Sequence, residues 1–144
     1  MNIKELAIDA EFCKADVLTN VFMITYAFEG QVNLDECLIT YLFSISKYQQ
    51  YHVFLKDQKM SLFSLLRRHT DIKANEPNSE SCRQKLFSIF LNMTESQDIC
   101  KQIDVREFIA LTNKMLEKTK ENVYRSDNIH ELAIKSLINM CQYQ

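Results

Sequence analysis

Three histidines and five cysteines are the side chains of this 144-residue chain best suited to nucleophilic or metal chemistry, and their spacing limits what they can do. His52, His69 and His130 lie far apart, and no Cys or His pair has the C-x₂₋₄-C or H-x₃₋₅-H spacing of a zinc site. A Cys/His nucleophile pair meets in space rather than in sequence, so spacing alone leaves it open. Cys13, Cys37, Cys82, Cys100 and Cys141 are odd in number and widely spaced, and four of them sit among apolar helix positions. That pattern predicts reduced, buried small hydrophobes whose thiol pKa is raised rather than lowered. A single glycine cannot build a phosphate loop. No metal, no cofactor and no enzymatic reaction is expected.

Two other sets of side chains offer binding chemistry. Lys56, Lys59, Arg67, Arg68 and Lys73, with His69 among them, form the one basic cluster, a candidate for phosphate or acidic ligands. Arg67 and Arg68 also end a helical stripe, where cations favour the negative end of the helix dipole. The second set is a series of polar rows: Glu36, Thr40 and Ser44; then Gln84, Ser88 and Asn92; then Glu131, Lys135, Asn139 and Gln142. Residues four apart lie one above another on a helix, so each row is a nearly straight polar line. Asn offers both donors and acceptors, and can bond the backbone of an extended peptide without reading its sequence. The same groups could instead bond neighbouring helices and hold a stack together.

The elements that position these rows are of two kinds. Between Ile99 and Thr119, Val105, Phe108, Ile109, Thr112, Met115 and Leu116 recur at i, i+3, i+4, i+7, the one-sided stripe of a helix with a wet back. Ile129 to Cys141 is apolar over most of its circumference, which predicts a helix enclosed on several sides. The segments around Cys82 to Met93 and Cys37 to Ile45 share this pattern. Asn92 precedes Asn139 by 47 residues and Ser44 precedes Asn92 by 48. Repeats of that length, each with an outer and an inner helix, fall at the long end of the window for armadillo and HEAT arrays.

From Leu34 to Cys141 the chain resembles the armadillo family. Phe90-Leu91-Asn92-Met93 and Leu137-Ile138-Asn139-Met140 are similar to the family's ending of its third helix, and Ile99 to Leu116 to a first helix running into a second. The resemblance implies an all-α fold, a short right-handed α-solenoid whose inner helices line a concave face. It implies a non-catalytic adaptor or scaffold that binds a peptide or helix of another protein through Thr40, Ser44, Gln84, Ser88, Asn92, Glu131, Lys135 and Asn139. There are departures. The family's glycine between its first and second helices is missing, with Gln58 and Asp104 the nearest candidates, and Ser44 stands where Asn is expected. The tryptophan of peptide-binding import members would fall at Thr40, Ser88 and Lys135, which argues against an import-type groove.

The length fits one domain over 1–144, divided into N-terminal capping helices at 1–33 and repeat units at 34–93 and 94–144. Ile3 to Phe28 is helical by pattern, with a junction near Lys14 to Asp16, Gly30 as a helix terminator and Asn33 as the next N-cap. Polar breaks at Thr70 to Glu80 and Lys118 to Asp127 fall at equivalent points of the repeat. One Gly and one Pro leave little for sheet turns. The 17 basic and 19 acidic residues give a net charge of −2, which does not call for nucleic acid or an anionic membrane. No run approaches the ~18 apolar residues of a membrane span, and the N-terminus lacks the basic start of a signal peptide. The expected location is intracellular, cytoplasmic or nuclear.

The open apolar side expected for the final helix, at Leu137 and Met140, predicts an interaction face there for a partner, a second copy or further repeats. Two alternatives remain at this level. One is a compact bundle around a single buried helix; the Gly-poor, Ile/Asn/Lys-rich composition resembles the Bcl-2-like immune and death modulators of large DNA viruses. The other is a nucleic-acid-binding helical domain that uses the basic cluster.

Overall fold

A computed structural model describes residues 32–71, 79–120 and 127–143, together with Asn20 and Met23. The described residues form helices and contain no strand. In order these are α1 (Val32–Ser46), a 3-10 turn (Gln49–Tyr51), α2 (His52–Asp57), α3 (Lys59–Asp71), α4 (Ser79–Thr94), α5 (Gln97–Cys100), α6 (Val105–Lys120) and α7 (Asp127–Gln142). The proposed capping helices before residue 32 and the middles of the two polar breaks, at 72–78 and 121–126, lie outside the described residues; the ends of those breaks, Thr70 and Asp71, Ser79 and Glu80, Lys118 to Lys120, and Asp127, are helical, so the breaks expected at Thr70 to Glu80 and Lys118 to Asp127 are shorter than their polar runs. Helix α1 already includes Asn33, which therefore sits inside the first turn and is not its N-cap.

The long helices form two layers. Helix α4 lies between α1 and α7, while α3 packs on α4 and α6, and α6 packs on α7. The last residues of α1, α4 and α7 are Ser46, Thr94 and Gln142, so successive helices of this layer end 48 residues apart. Aromatic rings join the layers: Phe63 of α3 meets Phe90 of α4 at 5.0 Å between ring centres, and Phe108 of α6 meets Phe90 at 5.4 Å and Phe87 at 5.8 Å. All four are buried, among Leu42, Leu62, Leu66, Leu86, Met93 and Met115. Close-packed rings of this size dominate the apolar burial of a small core.

The two positions that lack a glycine are accommodated without one. Gln58, between α2 and α3, has φ −100° and ψ 15°, a region open to residues with a Cβ, and its amide reaches the carbonyls of Phe54 and Leu55. Asp104 accepts the amide of Glu107 at 3.2 Å and caps α6.

Two expectations about enclosure need correction. Helix α7 is packed against α4 and α6 and has an open apolar side, but that side is not at Leu137 and Met140 as expected: Met140 is fully buried and Leu137 half-buried, whereas Ile134 is 56% and Ile138 51% exposed. The reason is that α4 and α6 cover only part of its circumference. The cysteines also divide. Cys82 and Cys100 are buried, whereas Cys37 and Cys141 are exposed, because the described neighbours of α1 and α7 leave those flanks bare. Cys13 lies outside the described residues.

Candidate functional site

The polar rows come together along the layer formed by α1, α4 and α7, and their bonds are staggered rather than level. Asn92 donates from Nδ2 to Ser46 Oγ at 3.0 Å, and Ser46 Oγ donates to the Phe43 carbonyl at 2.7 Å. The arrangement recurs one helix later, where Asn139 donates to Thr94 Oγ1 at 3.2 Å and Thr94 Oγ1 donates to the Leu91 carbonyl at 2.8 Å. Both hydroxyl residues are fully buried. Each Asn thus clamps the C-terminal turn of the preceding helix of its layer.

Lys85 Nζ donates to Thr40 Oγ1 at 2.9 Å, a second link between α1 and α4. Ser44 and Ser88 turn back onto their own helices, bonding the carbonyls of Thr40 at 3.0 Å and Gln84 at 2.8 Å. Gln84 is exposed. Glu131 and Lys135 pair at 2.6 Å on the exposed surface of α7, and the lysine's hydrogen bond and charge hold the Glu131 carboxyl below its ordinary pKa.

A histidine completes the first clamp. His52 is buried at the start of α2, with Nε2 2.7 Å from the Ser46 carbonyl and Nδ1 2.7 Å from Ser96 Oγ. A carbonyl only accepts, so in the neutral ring Nε2 carries the proton and Nδ1 accepts from Ser96. One imidazole therefore ties the end of α1 to the residue before α5. Ser46, Thr94, His52 and Ser96 were not among the row residues. The signal that would have found Ser46 and Thr94 is a hydroxyl two residues after Ser44 and Asn92, a position easily read as mere helix ending; no spacing in the sequence marks His52 or Ser96.

Among the described side chains of the basic cluster, the two arginines turn to different partners. Arg68 turns inward to Asp35 at 2.7 Å, and the other oxygen of that buried carboxylate lies 2.9 Å from His69 Nε2. Arg67 reaches Glu107 of α6 at 3.1 Å. Lys56 is half-buried on α2, Lys59 begins α3, and Lys73 lies outside the described residues. Arg68 falls within the last turn of α3, so dipole stabilisation and the ion pair act on it together.

The buried thiols are poor nucleophiles. Burial, reinforced by Glu36 and Asp35, pushes Cys82 up to about 11, and burial raises Cys100 with a smaller contribution from Cys141. Among the described residues, no three or more His, Cys, Asp or Glu side chains are grouped to hold a metal ion. Also among them, no helix is long and apolar enough to cross a membrane.

Exposed apolar side chains occur on the last two helices. Ile134, Leu137, Ile138, Cys141 and Gln142 line a shallow groove of about 400 Å³ along α7. At about 100° per residue these four apolar positions fall on the side of α7 opposite Asn139 and the buried Ser136, the side turned towards α4. On α6, Ile109 and Leu116 are also exposed, on the side opposite Glu107 and hence away from α3. Both last helices therefore leave apolar flanks on the side away from the preceding helix of their own layer. No family model, curated protein or solved structure matches the chain.

Proposed function

We propose that this chain is a non-catalytic protein-interaction module, a short stack of armadillo/HEAT-like helical units that docks through the open side of α6 and α7. The observation that carries this reading is a mismatch between equivalent positions. Ile39 and Phe87 lie two turns before the clamp hydroxyls Ser46 and Thr94, on the same side of their helices, and both are fully buried. Ile134 lies two turns before Cys141 in the same way and is 56% exposed. A side that is covered twice within the chain is bare at its end, and exposed apolar surface of this kind marks interaction sites.

The concave row is the weaker docking candidate. Thr40, Ser44, Ser88, Asn92 and Asn139 already make internal bonds, which favours a stacking role for them. A layered stack is also favoured over a bundle closed around one helix, since α4 keeps Gln84 exposed and Ser88 and Asn92 half-buried along one open line. The engagement of Arg67 and Arg68 by carboxylates counts against a nucleic-acid surface.

The test is affinity capture from a native-cell extract with wild type, an end variant (Ile134→Asp with Ile138→Asp) and a row variant (Ser88→Arg with Lys135→Ala), each matched for helicity. Loss of a partner with the end variant alone is expected. Loss with the row variant alone would move the site to the concave surface, and capture by none would remove the interaction reading.

A further inference from the structure

We infer that Ser96 is a nucleophilic serine, an acceptor for the acyl group of an activated ester, with His52 as its base. The site is separate from the open side of α6 and α7 and goes beyond the docking role proposed there.

Three observations carry this. The first is the constellation. A hydroxyl, a base within hydrogen-bond reach of it and a third group that orients the base form the geometric signature of an activated nucleophile. Ser96 Oγ lies 2.7 Å from His52 Nδ1, and the Ser46 carbonyl lies 2.7 Å from Nε2 on the other side of the ring. That carbonyl belongs to the last residue of α1, whose side chain is itself clamped by Asn92. The ring is thereby held in the tautomer that leaves a lone pair on Nδ1, and this lone pair meets the hydroxyl.

The second is the contrast with other hydroxyls. Ser44, Ser46, Ser88, Thr94, Thr112 and Ser136 each donate to a carbonyl of their own helix. A carbonyl is too weak a base to take the proton, whereas an imidazole can. Ser96 also has the extended backbone of an N-cap, with φ −91° and ψ 115°, yet its side chain makes no cap bond to α5. The hydroxyl is given to the histidine in place of the local bond a serine usually makes there.

The third is access. His52 is buried, but Ser96 is half-buried between exposed Glu95, Gln97 and Asp98, so a reagent can reach its oxygen.

The step balances with the ester as sole co-reactant. Ser96 Oγ attacks the ester carbonyl carbon as its proton passes to His52 Nδ1. An O–C bond forms, the bond from that carbon to the leaving oxygen breaks, and Nδ1 returns the proton to the leaving oxygen, releasing an alcohol or phenol. The acylated oxygen has no proton left to give, so the tie from α1 to the residue before α5 is lost with the modification. Each chain accepts one acyl group, in keeping with a non-catalytic module.

The experiment exposes the purified full chain to p-nitrophenyl acetate and follows acetylation by mass spectrometry of the tryptic peptide Leu86–Lys101, which carries both Ser88 and Ser96. Ser88 is half-buried as well, but its hydroxyl faces a carbonyl, so it serves as an internal comparison. Ser96 should react at least about 100-fold faster than Ser88, the lower range of base assistance. His52→Gln keeps an amide able to donate to Ser46 and accept from Ser96 but is no base. With unchanged circular dichroism, it should bring Ser96 down to the rate of Ser88. In wild type the rate at Ser96 should rise as the imidazole loses its proton and then level off, whereas an unassisted hydroxyl reacts in proportion to hydroxide. Equal rates at the two serines, a fast reaction that survives His52→Gln, or a rate proportional to hydroxide throughout overturns the inference. Should His52→Gln fail to fold, the two wild-type measurements decide.

Discussion

At the scale of single residues, the two Asn clamps distinguish a side chain that holds the stack from one that waits for a ligand. Asn92 donates a hydrogen bond to a buried hydroxyl that itself donates to the Phe43 carbonyl. Removing the Asn side chain takes away a bond worth about 1 kcal/mol net. Asn92→Ala should therefore lower unfolding stability by about 1 to 2 kcal/mol, measured by urea denaturation. The cycle with Ser46→Ala should show a coupling of about 1 kcal/mol, because each change removes the same contact. Additive effects would mean that the bond contributes nothing and that Asn92 is free to serve a ligand. The row was legible in the sequence because a period of four on a helix is a surface feature. The acceptor was not, since Ser46 and Thr94 are ordinary helix-ending residues until a neighbouring helix is placed beside them. Asp35 was hidden for the same reason: its partners Arg68 and His69 lie one long helix away, and only the packing of α3 brings them to it.

At the scale of elements, hydrophobic periodicity separated the helices well but misplaced the open side of the last one, which lies at Ile134 and Ile138 and not at Met140. An apolar side chain states a preference for burial, not the presence of a neighbour to supply it. Helix α4 has α1, α3 and α7 around it, whereas α7 has α4 and α6 alone as substantial neighbours among the described elements. This asymmetry should appear in native-state hydrogen exchange. The amides of α4 from Leu86 to Met93 open only on global unfolding and should be the slowest in the molecule. Those of α7 around Ile134 and Ile138 should exchange through local opening at least about tenfold faster at concentrations where the chain is monomeric. Equal protection of the two helices would show that α7 is covered after all, and the open flank would lose its meaning. The missing glycines illustrate the converse. The sequence showed a departure from a resembled pattern, but not that the Gln58 backbone and the Asp104 cap fill the role by other means.

At the scale of the whole molecule, a layered stack has a property a closed bundle lacks: its ends do not saturate. Each added helix covers the flank of the one before and exposes its own, so the final pair carries apolar surface however well the interior packs. On the stacked reading proposed for this chain, that surface is on α6 and α7, which expose Ile109 and Leu116, and Ile134 and Ile138, respectively. A bare flank contributes little to the stability of the isolated chain, because its side chains stay in water folded or unfolded. Ile134→Ala should therefore lower unfolding stability by no more than about 0.5 kcal/mol in urea denaturation, the usual size of a surface change. Phe87→Ala, at the corresponding position of α4 where the ring is fully buried, should cost about 3 to 5 kcal/mol. A loss for Ile134→Ala approaching that of a buried residue would mean that the flank is covered after all, and the exposed isoleucines would no longer mark a docking surface.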